Sequence, residues 1–169
     1  MNANSFVKDK KNILNLFKKK KFIKVIKFGK KLLKKNKDIQ LCYALGISYF
    51  SLKKYSDAEN NFKYVVDSRP TAENYFIYGN ILKQTQNLRE AAESFEQAIK
   101  LRSDYSDAFN NLGNIKKRLG FTEEAIKNYK KAIDTRKNNI EAYFNLAHLY
   151  NEEKKFDDLK NVLLSILKF

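Results

Sequence analysis

The chain has 169 residues, a formal net charge of +15, one cysteine, five glycines and one proline. A single cysteine excludes an internal disulfide framework and fits a reducing compartment, and the scarcity of glycine and proline leaves no flexible linker. No apolar run reaches the length of a membrane-spanning helix, and residues 13–17 are too short for the core of a secretion signal, so a cytoplasmic location is expected.

Residues 1–37 form the first expected element. Fourteen lysines there face a single acidic residue, Asp9, so most of the net charge lies at this end and residues 38–169 are nearly neutral. Phe22, Val25, Ile26, Gly29, Leu32 and Leu33 recur at the spacing of one helix face, with Lys24, Lys27, Lys31, Lys34 and Lys35 on the other. Ile13, Leu14 and Phe17 supply a partner helix and Lys18–Lys21 a turn. Together they predict a lysine-rich, divergent helical hairpin stacked on the first helices after residue 37. The lysines admit three readings: a solvated cap, a surface for RNA, DNA or another polyanion, and a contact with an anionic membrane or an acidic protein. The segment has no arginine, so any nucleic-acid contact is expected to be non-specific and lost as salt rises.

From Asp38 onward the chain repeats. Gly46, Gly79 and Gly113 recur every 33 or 34 residues, and so do Ala58, Ala91 and Ala125. A period of this length predicts stacked helical hairpins. Four blocks align, 39–71, 72–105, 106–139 and 140–169, each with two apolar stripes at helical spacing around a short polar turn. Cys42 falls at a packing position and is expected to be a small buried hydrophobe. The last block stops inside its second helix on Leu163, Leu164, Ile166 and Leu167. This apolar stripe is expected either to continue into a longer protein or to pair with another copy or a partner.

The blocks resemble the tetratricopeptide repeat (TPR), whose pattern is W-x2-L-G-x2-Y followed by Ala, an aromatic, Ala and Pro. The matching residues are Leu45, Gly46, Tyr49, Ala58, Phe62 and Pro70 in the first block, and Tyr75, Gly79, Ala91, Phe95 and Ala98 in the second. In the third they are Phe109, Leu112, Gly113, Ala125, Tyr129 and Ala132, and in the fourth Tyr143, Leu146, Ala147 and Tyr150. Departures are Cys42 at an aromatic position, Lys116 at the Tyr position, and Ser103 and Lys137 where Pro is usual. The resemblance implies an all-α, right-handed α-α solenoid of stacked antiparallel hairpins. It also implies loose packing at Gly29, where the family prefers an aromatic.

In such arrays the first helix of each hairpin lines the inner surface. Carried over, this places Asn80, Asn110, Asn111, Asn114, Asn145, His148 and Asn151 there, with Lys117 and Arg118. An asparagine offers both a donor and an acceptor and can pair with an extended peptide backbone. The arrangement is similar to the asparagine ladder of the O-GlcNAc transferase superhelix and of the peroxisomal import receptor, and residues 110–133 resemble the transferase repeats. The expected peptide-binding residues are therefore Asn80, Asn111, Asn114, Asn145, Lys117, Arg118 and His148, with the two cations favouring acidic neighbours. The competing reading is that an asparagine-rich chain exposes asparagine without purpose. A carboxylate clamp for chaperone C-termini is not expected, because Phe76, Glu141 and Asn145 occupy its basic positions.

No nucleotide-binding, hydrolase or zinc-protease motif is present, and Glu123–Glu124, Glu152–Glu153 and Asp157–Asp158 fall at or beside expected turns. One histidine and one distant cysteine make no metal constellation. The sequence thus predicts a non-enzymatic module without cofactor that binds a protein or peptide. The alternatives are a recruiting segment of a larger transferase, and non-specific polyanion binding at the basic end.

Overall fold

Ten α-helices and no strand are present among the residues described, 3–34 and 36–167, of the computed structural model. The contacts divide the chain into two compact units, Met1–Gln86 and Asn87–Phe169. The first contains α1 (Ala3–Lys18), α2 (Phe22–Leu33), α3 (Ile39–Ser51), α4 (Tyr55–Ser68) and α5 (Ala72–Gln84). The second contains α6 (Leu88–Leu101), α7 (Ser106–Arg118), α8 (Thr122–Thr135), α9 (Ile140–Glu152) and α10 (Phe156–Ile166). The helices α3, α5, α7 and α9 begin at the starts of the four sequence blocks. Within the units α1–α2, α3–α4, α7–α8 and α9–α10 pair as hairpins, and α2 packs on α3, α4 on α5, α6 on α7 and α8 on α9.

The turns explain why the chain folds back where it does. Lys20, Lys53, Gln86, Gly120 and Lys154 have positive φ, and they recur at the same 33- or 34-residue spacing as the glycines. A left-handed residue after a helix bends the chain and satisfies the helix's last carbonyls. Lys54 and Phe121 then donate their N–H groups to Tyr49 and Lys116 of the preceding helices. Entry to a hairpin uses different chemistry. Asp38, Thr71 and Asn139 cap α3, α5 and α9 by accepting the N–H of the third residue onward.

In the first unit the core runs through Ile13, Val25, Leu32, Leu41, Leu45, Phe62 and Val65, all buried. Cys42 is buried with them, and burial pushes its thiol pKa up. Gly46 lies against the Phe62 ring, and Gly113 of the second unit against Tyr129; a Cβ on Gly113 would stand 2.6 Å from the ring. The glycine makes room for the aromatic, and the aromatic fills the space between the helices.

The lysine-rich α1–α2 hairpin packs on α3 inside the first unit. Lys10 anchors it, its Nζ 2.6 Å from Oδ2 of the capping Asp38. The packing at Gly29 is not loose. This glycine is buried, and a Cβ there would meet Leu45 Cδ2 at 3.0 Å, so losing the aromatic brings α2 close against α3. No helix among the described residues is long and apolar enough to cross a membrane.

Gly113→Ala is expected to cost about 1–3 kcal/mol, the range for overfilling a packed interior. Urea denaturation of the full chain checks this, and an unchanged midpoint would show that the close approach to Tyr129 carries no weight.

Candidate functional site

The second unit holds most of the residues expected to bind a peptide. Asn111, Asn114, Lys117 and Arg118 lie on α7, and Asn145 and His148 on α9, which packs beside it. Asn80 lies on α5 of the first unit, where its side-chain amide donates to the Phe76 carbonyl one turn back at 3.0 Å.

Buried polar contacts fix the two helices. Ser106, the first residue of α7, donates its hydroxyl to the Ala132 carbonyl at 2.7 Å and accepts from Asn139 Nδ2 at 2.7 Å. Asn139 in turn accepts the Ala142 N–H, so one network joins the start of α7, the end of α8 and the start of α9. Every buried side-chain polar atom among the described residues has a partner, which is the condition for such a network to be stable.

Further along, Asn145 donates to Asn110 Oδ1 at 2.9 Å, and Asn110 is only 3% exposed. Tyr129 donates its hydroxyl to Asn114 Oδ1 at 2.8 Å. Burial drives the Tyr129 pKa well above its usual range, so the hydroxyl remains a donor. These bonds orient the outer amides. Asn114 has its oxygen engaged by Tyr129, which leaves its Nδ2 donors. Asn145 has one of its two N–H donors engaged, which leaves its carbonyl oxygen and the second N–H. Asn111 is half-buried between these positions on α7.

The basic residues are not equivalent. Lys117 Nζ is 2.6 Å from Glu152 and 3.1 Å from His148 Nδ1, while His148 lies 3.3 Å from Glu152. The Lys117 hydrogen bond holds the Glu152 carboxyl below its usual range. Lys117 therefore has a carboxylate partner within the unit. Arg118 is exposed. Lys116, which replaces the family's Tyr, reaches Glu124 at 2.9 Å and Glu96 at 3.1 Å and so ties α6, α7 and α8 together. The hydrogen bond to Glu124 is the main cause that raises its pKa. Glu123 is held by Lys155 at 2.8 Å. Three of the paired carboxylates near the turns are thus ion-pair partners of lysines.

Two features escaped the sequence reading. Phe144 is 59% exposed on α9, one turn before His148, and is set apart from the buried stripe of Tyr143, Leu146, Ala147 and Tyr150. Its place between Tyr143 and Asn145, off that stripe, was the available signal. The first unit has a concavity of about 450 Å³ of its own, floored by Leu14, Phe17, Ile39 and Tyr43 and edged by Lys18 and Arg69. No group of His, Cys, Asp and Glu that could hold a metal ion occurs among the described residues.

A family profile described as TPR repeat matches residues 79–120 and 117–152. No curated protein matches the chain. Among solved structures, two crystal structures of MamA superpose with TM-scores of 0.85 and 0.86 at 26% and 25% identity. Their alignments cover 91% and 95% of this chain and 91% of each MamA chain. YrrB, described as a TPR protein with an unusual peptide-binding site, superposes with a TM-score of 0.81 at 15% identity over 92% of this chain and 81% of its own. The chain therefore contains TPR repeats, and its fold is that of all-helical TPR solenoid proteins.

Asn145→Ala is expected to strand the buried Asn110 carbonyl and to lower stability by about 1–3 kcal/mol. A denaturation midpoint matching the parent's would show that the Asn110–Asn145 bond is dispensable.

Proposed function

We propose that the chain is a protein-interaction module that captures an extended peptide segment on the α7–α9 face of its second unit. The observation that carries this reading is that both outer amides are held from within, Asn114 through its oxygen and Asn145 through one N–H, which leaves N–H donors on Asn114 and a carbonyl oxygen with a second N–H on Asn145. A peptide backbone presents the complementary pair, C=O and N–H, and Asn111 adds a further carboxamide. Phe144 supplies an apolar surface for a ligand side chain, and Arg118 and His148 supply the polar edge. Asn80 would make the same kind of contact in the first unit. TPR repeats suit protein binding, and a structural neighbour described as having a peptide-binding site is in keeping with this. The module needs no cofactor and performs no chemistry.

The test uses peptides selected from a random display library on the intact chain. Asn111→Ala combined with Asn145→Ala, assayed well below its melting temperature, is expected to weaken the selected peptides about tenfold, the loss of one to two net hydrogen bonds. Unaltered affinity would reject the groove.

The outer face of α10 favours a second reading. Leu163, Leu164 and Leu167 are all exposed there, Leu167 at 81%. Such a stripe suits either a second copy of the chain or the next part of a larger protein, such as a transferase of the kind whose repeats residues 110–133 resemble. Self-association predicts a particle size that grows with concentration in light scattering, and a strictly monomeric chain rejects it.

A further inference from the structure

We propose that the outward face of α2 binds an anionic lipid surface. This does not rest on the peptide-binding reading, because the face belongs to the first unit and uses none of the asparagines. The helix carries no acidic residue, and Asp9 is the only one on α1. Several lysines nearby are occupied: Lys10 pairs with Asp38, Lys30 hydrogen-bonds Tyr49, and Lys37 lies 4.0 Å from the Tyr64 ring centre. Lys24, Lys27 and Lys31 make no ion pair among the described residues, although Lys27 Nζ lies 6.0 Å from the Phe28 ring centre, and they share one side of the helix opposite the buried Val25, Gly29 and Leu32.

Two large apolar side chains flank this lysine stripe. Ile23 is 73% exposed and Phe28 47% exposed. Beside Phe28 and Lys31 opens a groove of about 670 Å³ between α1 and α2, with Ile13, Leu16 and Leu32 in its lining together with Asp9. Bare positive charge alone would suit any polyanion. Charge interleaved with protruding apolar groups suits a surface that offers anionic headgroups and hydrocarbon together. A nucleic acid would gain little from Ile23, and the face carries no arginine for base edges. The lysines would draw the helix to the headgroups, and Ile23 and Phe28 would enter the boundary beneath them.

The experiment is co-sedimentation of the full chain with phosphatidylcholine vesicles, with and without phosphatidylserine. Binding is expected only with phosphatidylserine, and it should fall as salt is raised. Replacing Lys24, Lys27 and Lys31 together by Gln is expected to weaken it about a hundredfold, at about fivefold for each lysine near the surface. Ile23→Ser with Phe28→Ser, which leaves the charge intact, is expected to weaken it at least about tenfold. All five positions are exposed, and unchanged circular dichroism shows that the variants fold. Binding that ignores phosphatidylserine overturns the proposal. So does vesicle binding untouched by the Ile23 and Phe28 changes, which would leave only generic charge attraction. Retention of polyuridylate without retention of anionic vesicles overturns it in favour of nucleic acid.

Discussion

Close approach of paired helices is the constraint on which the other features depend. Where Gly113 removes the side chain from α7, the Tyr129 ring of α8 enters the space, and the hydroxyl at its far end reaches Asn114. Core packing and the polarity of the outer surface are therefore one arrangement. A bulkier residue at 113 would push Tyr129 outward and release the Asn114 oxygen. The amide would then be free to turn, and the fixed orientation of the Asn114 donors would be lost. The same coupling holds at the base of the face, where Ser106 and Asn139 tie the start of both helices to the last turn of α8.

Charge is handled differently in the two units. In the second, Lys116, Lys117, Lys155 and Arg136 each meet a carboxylate, on Glu124 and Glu96, Glu152, Glu123 and Asp107. Exposed pairs of this kind add little stability individually. Their effect is to match most of the charge on the α7–α9 side of the unit internally. The N-terminal hairpin has almost no acids to match its lysines, and its field extends into solvent. One chain thus presents two surfaces of different electrostatic character.

Much of this was legible in the sequence because periodic packing leaves periodic residues. The Gly and Ala spacing gave the helix pairs and the block boundaries, and the lysine–apolar alternation over residues 22–34 gave α2. What was hidden involves partners far apart in sequence or residues that break their usual type. Lys20, Lys53, Gln86 and Lys154 hold a left-handed conformation for which glycine is the ordinary signal, so the turn period could be seen only in Gly120. Gly29 read as a gap in the family pattern, yet Leu45 of the next hairpin closes it. Asn110 and Asn145 are 35 residues apart, and nothing local tells which asparagines bond to each other and which face outward. The pairing of Lys117 with Glu152, 35 residues on, is likewise a product of the fold.

The left-handed turn residues also bear on how the chain comes apart under a protease. An enzyme that cuts after lysine must draw several residues into an extended strand, which an intact helix resists and an exposed turn allows. Lys20, Lys53 and Lys154 are exposed at three hairpin turns, whereas Gln86 and Gly120 give such an enzyme nothing to recognise at the equivalent places. Nicking within hairpins is thereby directed toward the two ends of the chain, and the α5–α6 and α7–α8 connections are spared at this position. The residues that bend the backbone also set the order in which it is dismantled.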